Sequence, residues 1–147
     1  MEYKLIKADK KDAYLLKRHK LDTILQYAKN LDDNELQKIK KYIDTNILKQ
    51  LQNYKLIITK GKVIGSLLVV KHKDGYLLDE IYLEENFRNK GIGTNIIKNI
   101  LIEKNIVYLW TYKDNIKAIK LYLKFGFEIK EETETRYFMK FVTNKNL

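Results

Sequence analysis

The run Arg88-Asn89-Lys90-Gly91-Ile92-Gly93 decides how this chain folds. Before it, Leu77 to Leu83 is an apolar run that reads as a strand. After it, Thr94 to Lys104 carries apolar residues at helical spacing. A strand that ends in a basic, glycine-bearing loop and restarts as a helix makes an anion site. Backbone N–H groups converge at the helix N-terminus, and the helix dipole favours negative charge there. Gly91 and Gly93 allow the backbone to come close to the anion, where a Cβ would obstruct it. Neither standard phosphate motif is present. G-x-G-x-x-G fails because Ile96, not glycine, lies three residues after Gly93, and no G-x-x-x-x-G-K-[ST] string occurs.

Working outward, the chain has no linker, repeat or low-complexity tract. Tyr3 to Ala8 reads as a strand and Asp12 to Ala28 as a helix, with Leu16, Leu21, Ile24, Leu25 and Ala28 near helical spacing. A second helix is expected from a cap at Asp33 or Asn34, with Leu36, Ile39, Ile43, Ile47 and Leu51 on one face. Tyr54 to Thr59, Val63 to Lys71 and Tyr76 to Leu83 read as strands joined by turns at Lys60-Gly61-Lys62 and Lys73-Asp74-Gly75. Gly65, inside a strand, implies a bulge or a close backbone approach. Past the basic loop, Ile96, Ile97, Ile100 and Leu101 are the expected buried face of the next helix, and Ile106 to Tyr112 is a strand. That strand–helix–strand unit predicts a right-handed parallel crossover. Asp114 is the expected cap of a last helix ending at Gly126, and Phe127 to Lys130 with Arg136 to Val142 closes the chain as a hairpin. The fold class is α/β: a mixed central sheet of about seven strands flanked by four helices, in one domain over 1–147.

These residues resemble a known family. Arg88-x-x-Gly91-x-Gly93 matches the [QR]-x-x-G-x-[GA] signature of the GCN5-related N-acetyltransferases (GNAT). Ile81-Tyr82-Leu83-Glu84-Glu85-Asn86-Phe87 is similar to the family's strand-and-bulge segment, with Glu85 where proline is common. Asn115-x-x-Ala118-x-x-Leu121-Tyr122-x-x-Phe125-Gly126-Phe127 is similar to its second cofactor segment. The resemblance covers roughly Lys55 to Phe141, and the chain before Lys55 matches in layout only.

The resemblance implies a GNAT-like acyl-CoA N-acyltransferase fold, acetyl-coenzyme A as co-substrate and an amine as acceptor. It places the pyrophosphate on Arg88, Asn89, Lys90, Gly91, Ile92, Gly93 and Thr94. It places the pantetheine arm along Ile81, Tyr82 and Leu83, like an added strand, with Asn115 and Tyr122 beside the cofactor. It further implies the Leu83 N–H as donor to the thioester carbonyl and Tyr122 as acid to the leaving thiolate. Tyr122 also fits a core aromatic, and Asn115 also fits a capping residue.

Asp79-Glu80 is an acidic pair in an otherwise apolar strand, and a buried carboxylate is costly unless paired or functional. Adjacent strand residues face opposite sides, so only one of the two lines a given cleft. Diamine acetyltransferases of the family carry an acidic pair at this spacing, which points to Asp79 as base or ammonium binder. Many members keep a Glu at the position of Glu80. The base is therefore Asp79, Glu80 or a water, or else one of the carboxylates is only a salt-bridge partner. Acceptor contacts are expected from Tyr27, Tyr42, Tyr112, Arg136 and Tyr137.

Composition bounds the rest. The chain has no cysteine, which removes a thiolate nucleophile and leaves direct attack of the amine on the thioester. With two separated histidines, His19 and His72, no metal site is expected. No apolar run is long enough for a membrane span. Met1-Glu2-Tyr3-Lys4 lacks the apolar run of a signal peptide, so the expectation is a cytoplasmic protein. The net charge of +10 invites nucleic acid as a partner. Against it, the basic residues are mostly lysine and are spread along a chain rich in Ile and Asn and free of Pro, a pattern of genome composition. An aminoacyl-RNA acceptor and a non-catalytic acyl-CoA-binding module remain alternatives, and a homodimer is compatible with the lead reading.

Overall fold

The computed structural model describes residues 2–144. Seven strands run in the order β1 (Lys4–Lys7), β2 (Tyr54–Thr59), β3 (Lys62–His72), β4 (Gly75–Leu83), β5 (Ile106–Tyr112), β6 (Glu128–Glu132) and β7 (Arg136–Val142). The α-helices are α1 (Ala13–Tyr27), α2 (Asp33–Gln50), α3 (Ile92–Glu103) and α4 (Ile116–Phe125). The strands make a mixed sheet in the order β1-β2-β3-β4-β5-β7-β6, so the expected fold class holds. β4 and β5 pair in parallel across α3, as the crossover requires, while β1–β2, β2–β3, β5–β7 and β6–β7 are antiparallel. The chain forms two compact units.

One unit comprises Glu2–Leu68 and Glu80–Phe87. α1 and α2 pack on each other within it. The cap of α2 is Asp32, one residue before the expected Asp33 or Asn34. Its carboxylate accepts from the Glu35 N–H at 2.8 Å, and the Glu35 carboxylate accepts from the Asp32 N–H at 3.4 Å. The signal lay in the reciprocal Asp32-x-x-Glu35 pair, not in the nearest acidic residue to the helix. Of the expected apolar face, Ile43 and Ile47 are buried, and Leu36, Ile39 and Leu51 are half-buried. Gly65 fulfils both of its expectations. The β2–β3 register slips opposite it, between Ile57 and Ile58, and a Cβ on Gly65 would lie 2.0 Å from the Tyr82 carbonyl oxygen.

The other unit comprises Val69–Asp79 and the chain from Arg88 onward. α3 begins at Ile92, two residues ahead of the expected Thr94, because Gly91 turns the backbone left-handed and caps it. Ile92, Ile96, Ile97, Ile100 and Leu101 are its buried face. Burial of each such side chain contributes on the order of 2 kcal/mol. α4 is capped by Asn115, not Asp114: the Asn115 side chain accepts from the Ala118 N–H at 3.3 Å. It ends at Gly126, with φ 104°. Tyr122 is the buried residue of α4, whereas Leu123, at core-like spacing, is 49% exposed.

Candidate active site

The basic loop leaves a short 3₁₀ turn, Glu85–Phe87, and enters α3 through two left-handed residues, Asn89 (φ 61°) and Gly91 (φ 88°). Asn tolerates this conformation and Gly adopts it freely. The Asn89 side-chain oxygen accepts from the Lys117 ammonium, which ties the loop to α4. A Cβ on Gly91 would meet no protein atom within 4 Å, so glycine is needed there for its backbone angle and not for lack of room. No side chain caps α3, and its first turn carries no acidic residue. Its leading N–H groups, with Lys90 exposed beside them and Arg88 half-buried, therefore suit an anion. Ile92 offers only its backbone, since its side chain is in the core. Gly93 and the exposed Thr94 complete the first turn.

The same unit holds Asp79, Asn115 and Tyr122. Asp79 is exposed. Asn115 caps α4, and Tyr122 lies edge-on to Phe127 with ring centroids 5.6 Å apart. The parallel ladder joins Tyr76–Leu78 to Val107–Leu109, although β4 continues to Leu83 and β5 to Tyr112. Of the expected acceptor contacts, Tyr112, Arg136 and Tyr137 belong here. The Arg136 guanidinium stacks 4.9 Å from the Trp110 ring, and the Lys113 ammonium lies 5.2 Å from that of Tyr137.

Glu80, Ile81, Tyr82 and Leu83 belong to the other unit, as do Tyr27 and Tyr42. Glu80 is buried and accepts a hydrogen bond from the Tyr54 hydroxyl at 2.5 Å, so the two carboxylates of the acidic pair have different surroundings. Tyr42 is 56% exposed, near Lys20.

A polar cluster at the end of β4 escaped the sequence reading. His19 is fully buried. Its Nδ1 lies 2.8 Å from Ser66 Oγ and its Nε2 3.3 Å from Glu84 Oε1, and its ring stacks on Tyr82 at 4.2 Å. Arg18 donates to the same Glu84 oxygen at 2.5 Å, and the Tyr82 hydroxyl donates to Asp22 at 2.9 Å. The hydrogen bond from Arg18 holds the Glu84 carboxyl below its usual pKa, and burial pushes that of His19 down. Glu84 is thus charged and accepts only, so a neutral His19 carries its proton on Nε2 and accepts from the Ser66 hydroxyl at Nδ1. The clue was available: His19 follows Leu16 on the apolar stripe of α1, and Ser66 interrupts an apolar strand.

The mixed sheet thus has a parallel pair, β4–β5, joined through the glycine-capped α3. Residues 20–127 match the model of the "Acetyltransferase (GNAT) family", and the chain belongs to that family. It is 32% identical over 63 residues to a spermine/spermidine N(1)-acetyltransferase of Bacillus subtilis (strain 168). The match covers 39% of this chain and 41% of that protein. Among solved structures, the PaiA N-acetyltransferase of Thermoplasma acidophilum in complex with coenzyme A is similar, with a TM-score of 0.73 at 16% identity, over 97% of this chain and 100% of that one. Ard1 of Thermoplasma volcanium is similar with a TM-score of 0.70 at 16% identity, over 99% of this chain and 100% of that one. At such identity these likenesses concern the fold. No helix among the described residues is long and apolar enough to cross a membrane.

Proposed function

We propose that this chain moves an acetyl group from acetyl-coenzyme A to a primary amine, by direct attack in a ternary complex, and that residues 1–147 act as a single domain. Met1 and residues 145–147 lie outside the described residues. The observation that carries the reading is the N-terminus of α3. It is capped by a left-handed glycine, is free of capping side chains and acid, and stands directly after Arg88 and Lys90. In this reading the N–H groups of Asn89 to Thr94 hold the pyrophosphate, and the edge of β4 at Ile81–Leu83 pairs with the pantetheine amides. Asn115 lies beside the arm.

Three proton and charge tasks then fall to this chain's residues. The acceptor ammonium gives up its proton to Asp79, the exposed carboxylate of the acidic pair, directly or through water. Glu80, held by Tyr54, is the alternative base. The Leu83 N–H receives the charge that grows on the carbonyl oxygen. Tyr122 protonates the departing thiolate. With no cysteine in the chain, no thiol takes up the acetyl group on the way.

The name of the Bacillus relative and the acidic pair both support a polyamine acceptor. An acceptor screen of polyamines, small monoamines and peptide amines, following free coenzyme A, tests this. Amine-dependent release is expected, with the polyamines leading. The net charge of +10 supports one second reading, an aminoacyl-RNA acceptor. That reading requires RNA association that falls steeply with salt.

A further inference from the structure

Leu83 is gripped through both of its chain neighbours by one buried side chain. The His19 ring stacks on Tyr82, which precedes Leu83, and its Nε2 bonds the carboxylate of Glu84, which follows. Its Nδ1 reaches across to Ser66 on β3, the neighbour of Gly65. The backbone is held at the same place. The Glu84 N–H donates to the Ile64 carbonyl at 2.7 Å, and the Tyr82 carbonyl oxygen occupies the space where a Gly65 Cβ would stand. No peptide bond among the described residues is cis. In a trans peptide the N–H is directed opposite to the C=O. With the Tyr82 oxygen seated on Gly65, the Leu83 N–H is therefore directed away from it.

We propose that His19 is a positioning residue for acetyl transfer: by holding Tyr82 and Glu84 it fixes the direction of the Leu83 N–H, while Gly65 leaves the space in which that peptide lies. This rests on the reading of Leu83 as donor to the thioester carbonyl. Ser66 completes the device by fixing the imidazole tautomer, and so which nitrogen faces Glu84. Arg18 keeps Glu84 in place from the exposed side. A donor that has drifted from the developing oxyanion still permits cofactor binding but no longer favours the transition state, so the effect belongs in kcat.

The test compares His19→Leu, which removes both bonds, with His19→Gln, whose amide can still donate to Glu84. His19→Leu is expected to lower kcat by about 10- to 100-fold, the scale of a misplaced reacting geometry. Its KM for acetyl-coenzyme A and its calorimetric affinity for coenzyme A should stay near parental. His19→Gln should recover most of the loss. A purely structural histidine instead lowers the melting temperature of both variants and leaves kcat parental, which overturns the proposal. If His19→Leu fails to fold, His19→Gln and Ser66→Ala decide: a kcat reduced by roughly 3- to 10-fold in Ser66→Ala supports the device, and parental kcat in both variants overturns it. The Leu83 amide resonance of ¹⁵N-leucine-labelled protein gives an answer without turnover. A shift on adding acetyl-coenzyme A to the parent that is lost in His19→Leu and kept in His19→Gln supports the proposal, as does a shift reduced in Ser66→Ala where His19→Leu fails to fold. A parental shift in His19→Leu, or in Ser66→Ala where it stands in, removes it. A parent that shows this pattern yet acetylates no amine contradicts the proposed activity, while the hold of His19 on the Leu83 N–H toward the thioester stands.

Discussion

At the scale of single residues, Tyr122 separates chemistry from packing most sharply. It is buried and makes an edge contact with Phe127, so its ring belongs to the core whatever its hydroxyl does. Tyr122→Phe keeps the ring. If the hydroxyl protonates the thiolate, kcat falls by about 10²–10⁴-fold while the melting temperature stays near parental. Normal turnover removes Tyr122 from the mechanism. A second prediction concerns His19, whose pKa burial lowers from 6.5. Between that value and the folded one, the unfolded chain takes up a proton that the folded protein refuses. Stability therefore drops as the pH falls through about 6.5, and the loss levels off below the folded pKa. Glu84, lowered from 4.5, keeps its contribution above 4.5 and loses it only in stronger acid. Thermal melts at about pH 7.5 and about pH 5.5 should show the parent losing stability and His19→Gln losing less. Equal losses contradict the account. The loop residues and Tyr122 were legible because their spacing is local. The cluster of His19, Ser66 and Glu84 was not, because its members are brought together from α1, β3 and the end of β4 by the tertiary fold alone.

At the scale of elements, the helix starts carry the account. Gly91 caps α3 at φ 88°, a conformation that costs a residue with a Cβ about 1–2 kcal/mol. Gly91→Val should melt a few degrees lower and lose measurable coenzyme A binding in calorimetry. Unchanged affinity would sink the assignment of the loop. Asp32 and Asn115 each cap a helix through a side-chain oxygen, and replacing either by Ala should cost about 1 kcal/mol of stability. Only Asn115→Ala should also weaken coenzyme A binding, since Asn115 alone has a proposed place beside the cofactor. Equal affinities in the two variants leave Asn115 as a cap and nothing more. Element order and type were readable from periodicity, whereas three helix starts moved by one or two residues. α2 and α4 shifted because several adjacent polar residues can compete for a cap. α3 shifted because the left-handed glycine lets the helix begin inside the motif itself.

At the scale of the whole molecule, the family and the mixed sheet were legible because two motifs stand in order on an alternating pattern of strands and helices. The acceptor was not, because its expected contacts come from scattered tyrosines and one arginine with no shared spacing. The +10 charge narrows it little, since lysines cover the chain from end to end while Asp79 and Glu80 set the local sign at β4. Mass spectrometry of the acceptor is the decisive measurement for acetyl transfer to a primary amine. The protein is incubated with acetyl-coenzyme A and an amine panel led by spermidine, and free coenzyme A is counted alongside. One acetyl group is expected on the acceptor for each coenzyme A released, with no release when amine is omitted. Bound acetyl-coenzyme A with no acetylated amine anywhere in the panel would contradict it.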